Sequence, residues 1–239
     1  MGTAEQEPLI AVAAEPLEFR GLLRRARRVR RLGWPLAFAR EADIGGRRWI
    51  LAAHGPGPRL ARHAAQTSLD RCGGRAVVLS TGFCGGLDPM LRPGDVFIAG
   101  EIIEAATGAR FPTLPLRDCP QARHGLLWSQ DRVAATAEEK AQIRRRGPDA
   151  VDMEAAAVAA EAARRRVPFH CVRVVSDAAD GSLPLDFNAF RDAEGRFSRS
   201  RITLFVLLHP SRVMPLLRFR RECRRAANRL GEFLVHCCF

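Results

Sequence analysis

The chain has 239 residues, with 38 Lys and Arg against 26 Asp and Glu, and its formal net charge is +12. A hydrophobic content of 47% supplies a sizeable core and excludes a wholly disordered chain. The length indicates one domain, or two at most. Lys140 is the only lysine, so nearly all the positive charge is arginine. Such a surface suits nucleic acid, an anionic membrane or a phosphorylated substrate, or it reflects codon composition alone.

Cysteine and histidine usage argues against a metal centre. The seven cysteines include no CxxC pair, and the six histidines have no mutual ligand spacing. We therefore expect no disulfide scaffold, no metal site and no cofactor. The N-terminus carries glutamates where a signal peptide needs positive charge, and the most apolar run, 202–208, falls short of the ~20 residues of a spanning helix. We expect a cytoplasmic protein, with peripheral membrane contact as an alternative.

Strand-like and helix-like segments alternate along the chain. Compact apolar runs indicate strands at 9–14, 49–53, 76–81, 95–103, 126–134 and 169–176. Helical spacing is found at 19–31, 60–72, 150–166 and after Pro215, and a capping box at Thr136 opens a further helix. This rhythm predicts a mainly parallel sheet with helices on both faces.

Two acidic segments stand out as candidate sites. In Val151-Asp152-Met153-Glu154 two carboxylates flank a methionine within an otherwise apolar stretch. Buried carboxylates are costly without partners, although acids also favour a helix start for ordinary reasons. Asp177 follows the strand at 169–176, where ligands collect in open parallel sheets, but a turn or cap is the plainer interpretation.

Two glycine turns each follow a predicted strand, at 55–57 and 82–86. Glycine lets backbone N–H groups approach an anion or a sugar closely. Neither turn fits GxxxxGK[ST] or GxGxxG, which argues against a nucleoside triphosphatase and a Rossmann dehydrogenase.

The order of these motifs resembles the purine nucleoside phosphorylase / methylthioadenosine nucleosidase superfamily. The motifs are IAVAAEPLEF, HGPGP, STGFCGGLDPMLRPGDVFIA, VDMEAAAVAA and VPFHCVRVVSDAAD, and they cover roughly residues 9–181. The resemblance implies a single three-layer α/β/α domain with a central mixed, mostly parallel sheet. It also implies an enzyme that cleaves the N-glycosidic bond of an adenosine-type nucleoside, and a homo-oligomer.

The resemblance assigns roles to five residues of the two acidic motifs and the first loop. Glu154 corresponds to the glutamate that accepts hydrogen bonds from the ribose hydroxyls, and Met153 packs against the sugar. Asp177 corresponds to the acid that protonates the purine, with Ser176 orienting it on the base side. Glu18 corresponds to the glutamate that activates water in hydrolytic members, and Glu15 is the rival assignment.

The nucleophile side is less defined. Gly55, Gly57, Thr81 and Gly82 are candidate donors to phosphate or to the nucleophile, and Arg59 is a candidate charge. The sequence departs from the family where Phe83 replaces a common serine, so phosphate and water both remain open as nucleophiles. Val133 and Ala134, on the strand expected at 128–134, are candidate contacts to the purine.

Within this superfamily, STGFCGGLDPMLRPGD and the C-terminal extension look like the hopanoid-associated phosphorylase branch. That implies a 5′-lipid-substituted substrate such as adenosylhopane, and a place in hopanoid biosynthesis. We divide the chain into a catalytic domain, 1–208, and a basic amphipathic helical extension, 209–239. The helix either docks on the domain or contacts anionic lipid.

Three alternatives to that interpretation exist. One is a 5′-methylthioadenosine/S-adenosylhomocysteine-type nucleosidase, and another is a non-catalytic nucleoside- or lipid-binding protein on the same fold. A nucleic-acid-binding protein is disfavoured, because recognition motifs and clustered aromatics are missing from the sequence.

Overall fold

A computed structural model describes residues 7–116, 121–192 and 194–239. Residues 1–6, the beginning of the catalytic domain expected at 1–208, lie outside this part. The strands within it are β1 Leu9–Ala13, β2 Arg28–Arg31, β3 Phe38–Ile44, β4 Arg47–Ala53, β5 Val77–Gly86, β6 Val96–Glu104, β7 Arg110–Pro112, β8 Arg123–Ser129, β9 Ala150–Asp152 and β10 Phe169–Asp177. The helices are α1 Arg20–Leu23, α2 Pro58–Arg71, α3 Ala137–Arg144, α4 Ala155–Arg165, α5 Arg199–Leu208 and α6 Val213–Val235.

The expected α/β fold with a mixed sheet is confirmed. The strands follow the order β10-β6-β8-β9-β5-β1-β4-β3-β2, with β7 on β6. β1 pairs in parallel with β4 and β5, and β5 pairs in parallel with β10. Because β10 pairs with β6 as well as β5, one end of the sheet curls into a closed ring. The parallel strands bring their carboxyl ends to one edge, where the acidic motifs lie.

Two hydrophobic cores cover the two faces of the sheet. On one face, Ile10 and Val78 pack with side chains of α2 and α4, including Leu69 and Val158. On the other face, neighbouring residues of the same strands pack with side chains of α1 and α6. This alternation along each strand produces the three layers.

The helix expected at 19–31 is wrong beyond Leu23. The chain leaves α1 there and forms β2, which pairs antiparallel with β3. Arg30 lies opposite Glu41 in that register and forms an ion pair with it, a favourable cross-strand contact. Val29, taken as part of a buried helical stripe, is 48% exposed. The arginines of this region therefore lie on an edge strand and its approach.

The helix expected at 150–166 begins later, at Ala155, because 150–152 form β9 between β5 and β8. The capping box before α3 is confirmed, since Thr136 accepts from the Glu139 N–H at 3.2 Å. The strand expected at 126–134 ends at Ser129.

The C-terminal extension contains the expected amphipathic helix, α6. From Cys223 onward its apolar side packs on α1 and β10, and Gly231 lies so close to Gly21 that an added Cβ would sit 2.2 Å from its carbonyl carbon. In the described part of the chain no single helix is both long and apolar enough to cross a membrane. Arg199–Leu208 and Pro210–Val235 meet that length and composition test only as a pair, bent by 115°.

Candidate active site

A cavity of about 270 Å³ lies at the carboxyl edge of the sheet. Its walls come from the loop after β1, the ends of β5, β9 and β10, and the segments before and within α6. Predicted site residues that line it are Glu15, Glu18, Val133, Ala134, Met153, Glu154, Ser176 and Asp177. The predicted nucleophile-side residues Gly55, Gly57, Thr81 and Gly82 are not among the lining residues, although their neighbours Pro56 and Phe83 are. The structure therefore brings the acidic candidates together and leaves the glycine turns in a supporting position.

Glu154 lies at the junction of β9 and α4, with 7% of its surface exposed. Its Oε1 accepts the Gly57 N–H at 2.8 Å. Burial, reinforced by the charge of neighbouring Asp152, raises the pKa of Glu154 to about 8. A substrate with two vicinal hydroxyls would donate hydrogen bonds to the carboxylate of Glu154. These hydrogen bonds would favour the ionised form over the protonated form.

Glu18 lies in the 3-10 turn after β1, and only 4% of it is exposed. Its two carboxyl oxygens accept the N–H groups of Phe83 and Glu15, each at 2.7 Å. Burial raises the pKa of Glu18 to about 7, although these hydrogen bonds oppose the rise. Gly82 is required here, because a Cβ at that position would sit 2.2 Å from Glu18 Oε1. Glu15 also reaches the cavity, but it is the residue that caps the turn.

A buried arginine lies behind these two glutamates. Arg173 of β10 is fully buried and donates to the Thr81 carbonyl, the Ser80 hydroxyl and Asp152 Oδ2, at 2.5, 2.7 and 2.5 Å. Burial disfavours its charge, yet the surrounding acidic groups, Asp152 foremost, raise the pKa of Arg173. Asp152 Oδ2 also accepts the N–H groups of Glu154 and Ala155 at the start of α4. The guanidinium thus lies among three carboxyl groups, those of Glu18, Asp152 and Glu154, which we call the acidic cluster.

Of the donors predicted for phosphate, the Gly55 and Gly57 N–H groups and the Arg59 guanidinium are engaged with protein groups. The N–H groups of Gly57 and Phe83 donate to Glu154 and Glu18. The Thr81 hydroxyl is buried without a hydrogen-bond partner. Arg59 lines a second cavity, where it donates to the Glu194 carbonyl, and it is not among the residues that line the first. The carboxyl groups of Glu154 and Glu18 therefore already accept N–H groups that a phosphate would need as donors.

Asp177 ends β10 on the opposite wall. One carboxyl oxygen accepts the Ser176 hydroxyl and the other lies 2.5 Å from Lys140 Nζ. Lys140 is fully buried and also donates to the carbonyls of Ala178 and Gly181, at 2.6 and 2.7 Å. The one lysine of the chain thus uses its three donors to hold Asp177 and the loop after it.

The base-side candidates lie in a loop, not on a strand. Val133 and Ala134 line the cavity beyond the end of β8. Asn188 pairs with both backbone groups of Val133, accepting its N–H at 2.8 Å and donating to its carbonyl at 3.0 Å. That pairing fixes the loop against the segment that follows β10.

Aromatic side chains form the outer wall of the cavity. Phe187, Phe197 and Phe219 line it together with Leu183 and Cys223. Sequence reasoning missed this wall, because its residues lie far apart in a weakly patterned region. It also missed Arg173, although a charged residue inside the apolar run FHCVRVV needs a buried partner. No group of three or more His, Cys, Asp or Glu residues placed to hold a metal occurs within the three described ranges.

Comparison with known proteins gives a consistent result. The family described as the Phosphorylase superfamily matches residues 26–123 and 116–206. The 5′-methylthioadenosine/S-adenosylhomocysteine nucleosidase of Tolumonas auensis is 29% identical over 198 residues, which cover 70% of this chain and 84% of that protein.

Two solved structures share the fold. The 5′-methylthioadenosine/S-adenosylhomocysteine nucleosidase of Neisseria meningitidis, in complex with methylthio-immucillin-A, superposes with a TM-score of 0.71 at 23% identity, covering 96% of this chain and 97% of that one. Futalosine hydrolase of Helicobacter pylori gives 0.69 at 17% identity, covering 95% of each chain. The same fold therefore accompanies more than one named substrate.

Proposed function

We propose that this chain, which belongs to the phosphorylase superfamily and is an enzyme of the nucleoside phosphorylase or nucleosidase type, hydrolyses the N-glycosidic bond of a 5′-thio-substituted adenosine and releases adenine. The position of Glu18 carries the proposal, because this buried carboxyl accepts the Phe83 N–H at 2.7 Å beside Gly82. It thereby takes a donor that a phosphate would need and supplies a base for water.

In the reaction we propose, one carboxyl group accepts the proton of the attacking water and another donates a proton to the leaving purine. Glu154 accepts hydrogen bonds from the ribose hydroxyls while positive charge develops at C1′. The C1′–N9 bond breaks, and a water molecule forms the new C1′–O bond as its proton passes to Glu18. Asp177, protonated from solvent before the reaction, delivers its proton to N7 of the departing purine, so that adenine leaves neutral, and Glu18 afterwards returns the proton of the water to solvent. The net change is the addition of one water across the glycosidic bond.

Electrostatics support water over phosphate. Glu18, Asp152 and Glu154 surround the inner end of the cavity, and the guanidinium of Arg173 is already engaged with Asp152. A phosphate dianion next to these groups would meet full like-charge repulsion only when Glu18 and Glu154 are ionised, above their raised pKa values of about 7 and 8. This argument favours the nucleosidase over the phosphorylase alternative.

The 5′ substituent is proposed from the relatives and from the aromatic wall. The relatives named above include 5′-methylthioadenosine/S-adenosylhomocysteine nucleosidases, and a thioether suits an apolar, aromatic surface. The aromatic wall also favours a second candidate substrate that would undergo the same reaction. This is an adenosine with a longer apolar 5′ chain, such as adenosylhopane, which would contact Phe187, Phe197 and Phe219.

The test is adenine release from 5′-methylthioadenosine, S-adenosylhomocysteine and a long-chain 5′-alkylthioadenosine, each with and without phosphate. We expect turnover without phosphate, and Asp177→Ala to lower kcat by about 10²–10⁴-fold. Asp180→Ala is the matched control, because this exposed acid of the same segment lies outside the cavity lining. Full activity of Asp177→Ala, or turnover that requires phosphate, would refute the proposal.

A further inference from the structure

The segment after the catalytic region exposes a large amount of apolar surface. We define the hairpin surface as the exposed face of α5 and the first half of α6, residues 199–221. Five of the eight large apolar side chains that are exposed in the described residues belong to it, each 50–72% exposed: Leu204, Leu207, Leu208, Met214 and Leu217. Leu204, Leu207 and Leu208 lie on one side of α5 by helical spacing, as do Met214 and Leu217 on α6, and exposed apolar side chains grouped in this way mark an interaction site.

The charge of the hairpin surface is of one sign. Residues 199–221 contain six arginines and no aspartate or glutamate. Among the residues that the structure describes, their one ion pair is Arg199 with Glu15, at 3.7 Å and with Arg199 highly exposed. Arg218, Arg220 and Arg221 are exposed around Leu217. This segment therefore combines exposed leucines with exposed arginines that have almost no acidic partner.

We propose that the hairpin surface binds a membrane that contains anionic lipid. Leucine and methionine side chains would enter the boundary between headgroups and acyl chains, while guanidinium groups pair with the phosphates. The negative potential of an anionic leaflet complements a surface that carries arginine and no acid. The hairpin surface is distinct from the acidic cluster. Membrane binding by the hairpin surface therefore does not depend on the proposed reaction.

A second copy of the chain is a poorer occupant of this face. A two-fold contact places the same patch on both sides, so the arginines of one copy would meet those of the other with no acidic residue between them. Nucleic acid would neutralise the arginines but leave the leucines exposed to water. The membrane satisfies both halves of the surface at once.

The surface adjoins the mouth of the cavity. Phe219, between Arg218 and Arg220, lines the aromatic wall, and so does Cys223 one turn further along α6. A membrane bound at the hairpin surface would therefore lie beside the opening of the site. Nucleosides with apolar 5′ chains, which partition into lipid, would reach the cavity from there.

The experiment is flotation of the full-length protein with phosphatidylglycerol vesicles and with phosphatidylcholine vesicles. We expect binding to the first and far weaker binding to the second, with a loss at high salt. Leu207→Ser/Leu208→Ser should weaken binding about tenfold or more. Arg218→Gln/Arg221→Gln should weaken it about fivefold per arginine, roughly 25-fold in all. Met90→Ser is the matched control, because Met90 is 66% exposed elsewhere and should have no effect.

Thermal unfolding and light scattering accompany each variant, so that misfolding or a change of oligomeric state is detected. Weaker vesicle binding by folded variants of both classes supports the proposal. Vesicle binding that is missing in the parent protein, or equal in parent and variants, overturns it. A parent oligomer that the leucine variant dissociates, without any vesicle binding, assigns the face to a second copy of the chain instead.

Discussion

The acidic cluster and the hairpin surface use charge in opposite ways. In the first, Glu18, Glu154 and Arg173 are almost fully buried, and neighbouring side chains or backbone N–H groups hold each of them. In the second, arginines lie exposed among leucines with little compensation. Buried charges depend on one another, so a single change there should be severe. Exposed charges act nearly independently, so their effects should be small and additive.

The largest effect is expected at Glu18. Replacing it with glutamine removes the proposed base for water, and kcat should fall by about 10²–10⁴-fold. Because its pKa is raised to about 7, the parent enzyme should lose kcat/KM as the pH falls through that value and the carboxyl becomes protonated. The residual activity of Glu18→Gln should lack this limb. A pH profile that is identical in both proteins would assign the limb to another group.

The next effect tests how far the buried charges depend on one another. Arg173→Met leaves Asp152 and the two glutamates without their shared cation, and should lower the free energy of unfolding by about 3–5 kcal/mol. Arg48→Met removes the cation of a surface ion pair with Glu41 and should lower the free energy of unfolding by at most about 1 kcal/mol. Urea unfolding of both variants measures the difference. Equal costs would mean that burial does not distinguish these two regions.

A smaller loss is expected at Lys140, which holds Asp177 without lining the cavity. Lys140→Met should reduce kcat by about 10–100-fold through loss of a charged hydrogen bond, with little change in KM. Steady-state kinetics separate the two parameters. A rise in KM at constant kcat would show that Lys140 supports substrate binding and not the position of the acid.

The smallest effect is expected on the hairpin surface. Leu207→Ser/Leu208→Ser should change the free energy of unfolding by at most about 0.5 kcal/mol, since both side chains are already exposed. Adenine release from 5′-methylthioadenosine, which does not need a membrane, should be unchanged. A clear loss of stability would show that these leucines pack in the folded protein.

Periodicity predicted the order of strands and helices where apolar side chains decide the structure. It failed at 28–31, because β2 consists of exposed arginines around Val29 and is held by pairing with β3. It failed again at 150–152, because three buried residues before a helix resemble its first turn. Both short strands depend on partners distant in sequence, and local pattern carries no information about those partners.

In the site, too, local motifs predicted some residues, whereas residues that depend on distant partners could not be predicted. Glu18, Glu154 and Asp177 lie in compact motifs with a family resemblance, and the structure places all three in one cavity. Arg173 and Lys140 act from behind these acids, and their partners become evident only when β10, β5 and α3 are packed together. The aromatic wall likewise combines side chains from separate loops and α6.

The most direct test of the account is the identity of the sugar product. 5′-Methylthioadenosine is incubated with the enzyme in phosphate buffer, and the products are separated by mass. Hydrolysis assisted by Glu18 predicts adenine and free 5-methylthioribose, formed at the same rate when phosphate is omitted. Formation of 5-methylthioribose 1-phosphate would contradict the account, because it would require a phosphate to bind where the structure places carboxylates.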